Sequence, residues 1–226
     1  MNGGRPRLLL FDLDGTLVDS VPDLAAAVNR MLAALGRPPA AADDVRHWVG
    51  NGAPRLVKRA LLGALDGEPP EADFERALPL FLDAYAEENC NHSRPYPTVV
   101  ETLTRFAATG VPMACITNKP AAFTEPMLVR LGLAEFFGLV VSGDTVAACK
   151  PDPAPLLHAL EFFTVEPRDA LMVGDSVNDI QAAHAAGVSV TCVTYGYNHG
   201  RDIREAGADA TIDSLQELAG RLLETE

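Results

Sequence analysis

Two aspartates, Asp12 and Asp14, follow the largely apolar run 7–11 and precede Gly15. The run indicates a buried strand, in which side chains two residues apart face the same side. With a turn at Gly15, one carboxylate can attack a phosphorus atom while the other meets the leaving oxygen. A carboxylate approaching a phosphate dianion meets repulsion of roughly several kcal/mol. The site therefore needs a divalent cation, and oxygen ligands favour Mg²⁺. The alternative is an acidic turn that only caps a helix.

Two further groups with chemical potential follow later in the chain. Thr117 and Asn118 end the apolar run 111–116, where a hydroxyl and backbone N–H groups at a strand-to-helix turn can hold a phosphoryl group. Lys150 precedes Pro151, and a lysine fixed in this way can neutralise both a phosphoryl oxygen and the nucleophile. Each signal alone is also common in loops and on protein surfaces.

A second pair of carboxylates, Asp175 and Asp179, follows the apolar run 171–173. Two carboxylates four residues apart across a strand–turn–helix junction can hold and orient Mg²⁺. The alternative for Asp179 is a capping residue or an acid in the first turn of the next helix.

Alternating strands and helices must position these groups. Short apolar runs at 7–11, 111–116, 139–141, 171–173, 189–194 and 210–212 predict strands. Helical spacing separates them at 99–108, 121–131, 154–163, 180–186 and 215–223. This alternation predicts an α/β fold with a parallel sheet covered on both faces. Because such sheets bind ligands beyond the carboxyl ends of their strands, one crevice would collect all four groups.

The segment between the first two of these strands has a different character, because only helical spacing is evident in it. Helical patterns occur at 24–35, 44–49, 54–62 and 74–86, and Pro79 is expected to split or kink the last. We therefore predict an α-helical cap at 19–94, inserted in a catalytic core formed by 1–18 and 95–226. The linkers are expected near 18–19 and 94–97, where two prolines suit a stiff return.

Composition limits the classes of function. The formal net charge of −13 and the pI of about 4.7 argue against binding to nucleic acid or to an anionic membrane. The four cysteines are far apart in sequence, which makes a zinc site or a disulfide framework improbable. No apolar window suits a signal peptide or a membrane span. We expect a cytoplasmic monomer or small homo-oligomer that binds a small phosphorylated metabolite.

Together, the strings FDLDGTLVDS, ITNK and GDSVND, with Lys150 between the last two, resemble the motifs of the haloacid dehalogenase-like superfamily of phosphatases. The resemblance implies a Rossmann-like core with a small α-helical cap. It also implies Asp12 as a nucleophile that forms an aspartyl-phosphate, and Asp14 as general acid and base. The phosphoryl group would be held by Thr117, Asn118 and Lys150. The Mg²⁺ ligands would be Asp12, the carbonyl of Asp14 and Asp175, with Asp179 nearby.

A narrower resemblance concerns the substrate. The strings VGNGA, TNKP, CKPDPAPLL and TYGYNHG are similar to those of bacterial phosphoglycolate phosphatases, which implies 2-phosphoglycolate. We expect the cap loop formed by Gly50, Asn51 and Gly52, with Arg55 or His47 nearby, to meet the organic end of the substrate. The alternative is an ordinary turn between two helices.

Other functions remain open at this stage. A sugar-phosphate phosphatase or a phosphomutase would use the same core. A dehalogenase would also use an aspartate nucleophile, but Asp14 and Mg²⁺ would then have no clear function in the reaction. A catalytically silent binding protein would be expected to lack one of the core residues, and here every position is filled.

Overall fold

A six-stranded parallel sheet forms the centre of the protein in a computed structural model that describes residues 5–223. Its strands are β1 (Leu8–Phe11), β4 (Met113–Ile116), β5 (Leu139–Val141), β6 (Ala170–Gly174), β7 (Ser189–Val193) and β8 (Ala210–Ile212). The labels β2 and β3 belong to two short strands, Val18–Asp19 and Arg94–Pro95. The order across the large sheet is β5-β4-β1-β6-β7-β8, so β1 lies at its centre.

Helices cover both faces of this sheet, which confirms the predicted α/β fold. They are α5 (Val99–Ala108), α6 (Ala121–Arg130), α7 (Ala154–Phe163), α8 (Val177–Ala186) and α9 (Leu215–Leu223). Alternate residues of β1 enter two different hydrophobic clusters. Leu9 and Phe11 pack with residues of α5 and α9, whereas Leu8 and Leu10 pack with residues of α7 and α8. A strand buried on both faces has to be apolar throughout, which explains its continuous run.

The segment between β2 and β3 contains four helices. They are α1 (Val21–Ala34), α2 (Ala42–Trp48), α3 (Gly52–Leu62) and α4 (Glu71–Glu88). Their buried side chains form a third hydrophobic cluster, to which Phe123 and Tyr197 contribute from outside the segment. We refer to residues 19–94 as the cap and to the remaining described residues as the core.

The two links between core and cap lie side by side. Strands β2 and β3 pair in antiparallel register, Val18 with Pro95 and Asp19 with Arg94. The sequence indicated linkers at these positions but no strands, because two residues are too few to show an alternating pattern.

Helix α4 continues through Pro79, so the expected break at this residue does not occur. Pro79 is exposed, and the helix buries Ala77, Phe81 and Tyr85 on its opposite side. The proline removes one backbone donor on the solvent side, where the apolar packing of the helix is not disturbed.

The predicted ends of the core, 1–4 and 224–226, lie outside the described residues. Within 5–223, no helix is both long enough and apolar enough to cross a membrane.

Candidate active site

The carboxyl ends of the three central strands bring the predicted groups together. Asp12 follows β1, Thr117 follows β4 and Asp175 follows β6. Because β1 lies between β4 and β6 and all three are parallel, these residues meet at one edge of the sheet. Lys150 reaches the same edge from the loop that precedes α7, and its Nζ lies 2.9 Å from Asp12 Oδ1.

Lys150 is a buried cation held at three points. Its Nζ donates to the carbonyl of Ile116 at 2.6 Å and to Asp179 Oδ1 at 2.7 Å, in addition to its contact with Asp12. Burial acts to lower the pKa of Lys150, but the charges of Asp12 and Asp179 outweigh it and hold this pKa above its ordinary value. Lys150 therefore remains an ammonium and acts through its charge rather than as a base.

Asp12 and Asp179, which contact this ammonium, form a group of three carboxylates together with Asp175. Asp12, Asp175 and Asp179 each offer an oxygen, and these oxygens lie within 4.8 Å of one another. Burial, followed by the charges of the neighbouring carboxylates, raises the pKa of Asp175 well above its usual range. Burial, opposed by Lys150, raises the pKa of Asp12 to about 7. Three carboxylates beside one ammonium offer a set of hard oxygen donors, which fits a divalent cation such as Mg²⁺.

Each carboxylate of this group is also held by neutral donors. Asp175 accepts hydrogen bonds from the Thr16 hydroxyl at 2.9 Å and from the Tyr197 N–H at 2.6 Å. Asp179 and Ser176 form a capping box at the start of α8. Asp179 therefore has both roles at once. Its Oδ2 accepts hydrogen bonds from Ser176 at the start of α8, and its Oδ1 contacts the Lys150 ammonium.

Asp14 faces a different cation from Asp12. Lys119 Nζ lies 3.0 Å from Asp14 Oδ1 and 3.2 Å from its Oδ2. The turn that follows Asp14 uses Gly15 at φ +89°, where an added Cβ would lie 2.2 Å from Asp175 Oδ2. Only glycine tolerates both this backbone conformation and this close approach.

Lys119 also lies in the site, although it was not among the residues predicted from the sequence. Only 5% of it is exposed. One sequence feature could have indicated it, because Lys119 is followed by Pro120 just as Lys150 is followed by Pro151. The structure shows both lysines buried beside an aspartate of the first motif.

Thr117 and Asn118 lie at the end of β4, as expected for phosphoryl-binding residues. The Asn118 side chain donates to the carbonyls of Gly50 at 3.1 Å and Lys150 at 2.8 Å, and accepts from the Lys150 N–H. It thus connects the cap loop to the loop of Lys150, which leaves the backbone N–H of Asn118 as the group suited to a phosphoryl oxygen. Thr117 Oγ accepts from the Lys119 N–H at 3.2 Å and can donate its own proton to a ligand.

The predicted cap residues divide into two pairs. Gly50 and Gly52 line the cavity between cap and core, beside Asp14 and Thr117. Asn51 and Arg55 are not among the residues that line it. Asn51 donates to Asn178 at 3.0 Å, so its side chain holds the loop against the core.

Arg55 points to the outer side of the cap. Its guanidinium donates to the carbonyl of Gly67 at 3.1 Å and to Glu68 at 2.9 Å. The structure therefore corrects the expectation that Arg55 meets the substrate, because its position on α3 directs it to the loop after that helix. His47 is likewise directed elsewhere and lies against Gly200.

The cavity is small and largely apolar. Its volume is about 50 Å³. Apart from the motif residues, its walls are formed by Leu24, Val49, Ala53, Leu56, Phe81, Tyr85, Pro120 and Phe123. Since a single water needs about 10–15 Å³ of such volume, the cavity has room for only a small ligand.

Comparison with known proteins agrees with this geometry. The chain is 47% identical to a phosphoglycolate phosphatase of Nitrosococcus oceani, over 96% of this chain and 97% of that protein. It is 52% identical to phosphoglycolate phosphatase 1 of Pseudomonas aeruginosa, over 94% of this chain and 78% of that protein. The crystal structure of a predicted phosphoglycolate phosphatase from Haemophilus somnus superposes with a TM-score of 0.91 at 38% identity, covering 97% of this chain and 99% of that one.

A match to a family of hydrolases spans both the core motifs and the cap. Residues 6–187 match the haloacid dehalogenase-like hydrolases, and this range contains Asp12, Asp14, Lys150, Asp175 and Asp179. The chain is therefore an enzyme that belongs to the haloacid dehalogenase-like hydrolase family.

Proposed function

We propose that this enzyme is a Mg²⁺-dependent phosphatase that hydrolyses 2-phosphoglycolate to glycolate and phosphate through an aspartyl-phosphate on Asp12. The observation that carries the proposal is the separate pairing of two aspartates, Asp12 with Lys150 and Asp14 with Lys119. Two carboxylates in different surroundings can take different roles, one as nucleophile and one as proton carrier. The names of the relatives and the small cavity support a two-carbon substrate.

In the first half-reaction, an Asp12 oxygen attacks phosphorus and the bond from phosphorus to the ester oxygen breaks. Asp14 gives its proton to that oxygen, which leaves as the hydroxyl of glycolate. General acid help of this kind contributes about 10²- to 10⁴-fold. Lys150, the Thr117 hydroxyl and the Asn118 N–H hold the phosphoryl oxygens during transfer.

In the second half-reaction, water attacks the phosphorus of the aspartyl-phosphate. Asp14 now accepts a proton from this water, and the bond from phosphorus to the Asp12 oxygen breaks. Phosphate is released and both aspartates return to their starting states. The same residue thus serves as acid and then as base, as in other two-step hydrolyses through a carboxylate intermediate.

The metal ligands would be Asp12, the backbone carbonyl of Asp14 and Asp175, with Asp179 supporting them. When bound, Mg²⁺ supplies positive charge that offsets the repulsion between Asp12 and the phosphate dianion. The clustering of these carboxylates supports this assignment, because oxygens of Asp12, Asp175 and Asp179 lie within 4.8 Å of one another.

The cap would separate the reacting groups from bulk water. Its loop already contacts the core through Asn118 and Gly50, and through Asn51 and Asn178. Opening of these contacts would admit the substrate and release the products. We propose a cytoplasmic enzyme that acts on a small metabolite.

The test is phosphate release from a panel of esters with Mg²⁺ and with a chelator. The panel contains 2-phosphoglycolate, 3-phosphoglycerate, hexose phosphates and β-glucose 1-phosphate. We expect Mg²⁺-dependent release with at least a tenfold preference for 2-phosphoglycolate, or about 1.4 kcal/mol in transition-state binding.

Other results would change the proposal in defined ways. Preferred release from hexose phosphates would make the enzyme a sugar-phosphate phosphatase. Release that requires an added bisphosphate would indicate a phosphomutase. No release from any ester would overturn the proposed activity.

A further inference from the structure

The cavity between cap and core contains two polar groups that the proposed reaction at phosphorus does not use for transfer. One is the Lys119 ammonium, which belongs to the core, and the other is the Tyr85 hydroxyl, which belongs to the cap helix α4. Lys119 Nζ lies 4.8 Å from the centre of the Tyr85 ring. The remaining cap side chains in this wall are apolar, so these two groups stand out as donors.

The Tyr85 hydroxyl is buried without a hydrogen-bond partner among the described residues. Only 1% of the Tyr85 side chain is exposed, and its ring packs against Phe81 and Phe123 at centroid distances of 5.6 and 4.8 Å. Burial raises the pKa of Tyr85, so its hydroxyl keeps its proton. A buried donor that meets no protein acceptor is unfavourable by itself, and it indicates a place for a ligand acceptor.

The contacts of Lys119 with Asp14 leave one N–H group of its ammonium for a ligand. An ammonium has three N–H groups, and the two oxygens of Asp14 lie at 3.0 and 3.2 Å from Nζ. A charged group with a remaining donor in an apolar wall attracts an anionic partner strongly, since little water competes for it.

We propose that Lys119 and Tyr85 bind the carboxylate at the organic end of the substrate, and so select small phosphate esters that carry a second anion. This inference rests on the proposed function and names the residues that give it specificity. The small volume of about 50 Å³ favours a carboxymethyl group over a sugar ring. Recognition is thus assigned to α4 and to the lysine after Asn118, rather than to Arg55.

The test compares 2-phosphoglycolate with ethyl phosphate, which has the same number of carbon atoms but no carboxylate. The measured quantity is the ratio of the two kcat/KM values. We expect Lys119→Met to lower this ratio by about 10- to 100-fold, as for loss of a hydrogen bond to a charged group. Tyr85→Phe is expected to lower it by about tenfold and mainly through KM for 2-phosphoglycolate, since it removes only the hydroxyl.

Two control variants match these changes outside the cavity. Tyr96→Phe also removes a buried hydroxyl that has no hydrogen-bond partner within residues 5–223, and Lys58→Met removes a lysine that pairs with Glu68 on the cap surface. Both should keep the wild-type ratio. Circular dichroism of all four variants should match that of the wild type.

The outcomes separate this inference from the proposed function. If the wild type does not prefer 2-phosphoglycolate over ethyl phosphate, the proposed substrate fails, and the inference fails with it. If the wild type has the preference but Lys119→Met and Tyr85→Phe keep it, only the inference fails. An equal loss for both esters would also overturn it, because Lys119 would then serve Asp14 alone.

Discussion

The two walls of the cavity differ in how they hold their functional groups. On the core side, two aspartates line the cavity, and each is paired with a buried lysine, Asp12 with Lys150 at 2.9 Å and Asp14 with Lys119 at 3.0 Å. On the cap side, the wall consists of apolar side chains, glycine backbone and one tyrosine. The core wall therefore contains the paired charges, whereas the cap wall is mostly apolar, which is the difference expected if the core performs the proposed chemistry and the cap shapes the substrate site.

The ion pairs of the active site differ in the same way from those on the surface of the cap. The cap has pairs such as Lys58 with Glu68 and Arg55 with Glu68, in which the Glu68 side chain is 65% exposed. Pairs of this kind are screened by solvent and stabilise little. A buried pair in the core behaves differently, because removal of one partner leaves the other charge in a region of low dielectric.

The largest effect is expected when the core loses its nucleophile. Asp12→Asn should lower kcat for the preferred ester by about 10⁴-fold or more, because the carboxylate that forms the intermediate is gone. The phosphoenzyme should also disappear in a rapid-quench labelling experiment. Asp44→Asn, on an exposed turn of the cap helix α2, is the matched control and should keep the wild-type rate. Comparable activity in the two variants would show that Asp12 is not the nucleophile.

The buried core pair should contribute more to stability than a cap pair. Lys150→Met leaves Asp12 and Asp179 without their ammonium, and we expect a loss of about 3–5 kcal/mol. This corresponds to a decrease in Tm of about 10 °C for a chain of this size. Calorimetry with a chelator present avoids compensation by a metal ion.

Lys58→Met supplies the cap counterpart, because its pair with Glu68 lies at the surface. Its Tm should stay within about 2 °C of the wild type. Equal shifts in Tm for the two lysine variants would show that burial does not distinguish the two regions.

A glycine at the boundary between the two regions should give a smaller effect. Gly52 has φ +79°, and an added Cβ would lie 3.3 Å from the carbonyl oxygen of Asn118. Gly52→Ala should therefore loosen the contact of the cap loop with the core and lower kcat/KM by about tenfold.

Gly63→Ala is the control for backbone strain. Gly63 has φ +64°, and an added Cβ would meet nothing within 4 Å. Both alanines strain the backbone by about 1–2 kcal/mol, but only the variant at Gly52 should change kcat/KM. A similar decrease for both would attribute the effect to strain rather than to the approach of cap and core.

The smallest effect is expected at Arg55, on the outside of the cap. Arg55→Ala should change KM for 2-phosphoglycolate by less than about twofold, because exposed ion pairs contribute little and its guanidinium is directed to Gly67 and Glu68. Steady-state kinetics over a range of substrate concentrations measure this directly. A large increase in KM would restore a role for Arg55 in binding.

The sequence predicted the core well because strand ends are easy to locate. A short apolar run that ends in Asp12, in Thr117 or just before Asp175 already fixes where each polar group must lie, once the strands are parallel. The helical cap was also evident from its spacing. What could not be predicted is which way each cap side chain points, because this depends on how α3 and α4 rotate against their neighbours.

Particular residues show this limit. Arg55 was a reasonable candidate by its proximity to the Gly50–Gly52 loop in sequence, yet the packing of α3 turns it outward. Tyr85 lies more than thirty positions from that loop along the chain and nevertheless lines the cavity. Lys119 shares its following proline with Lys150, but the sequence does not show that it is buried against Asp14.

The pairing of β2 with β3 has a consequence for how such an enzyme can change over time. Because the chain leaves and rejoins the core through two adjacent strands, everything between them resembles an inserted module with neighbouring ends. Insertions of this kind are well tolerated, since the host fold needs only to keep two close attachment points. The residues between Asp19 and Arg94 can therefore be exchanged for another helical module while the six-stranded sheet and its carboxylates keep their places. New selectivity can in this way be acquired without rebuilding the chemistry.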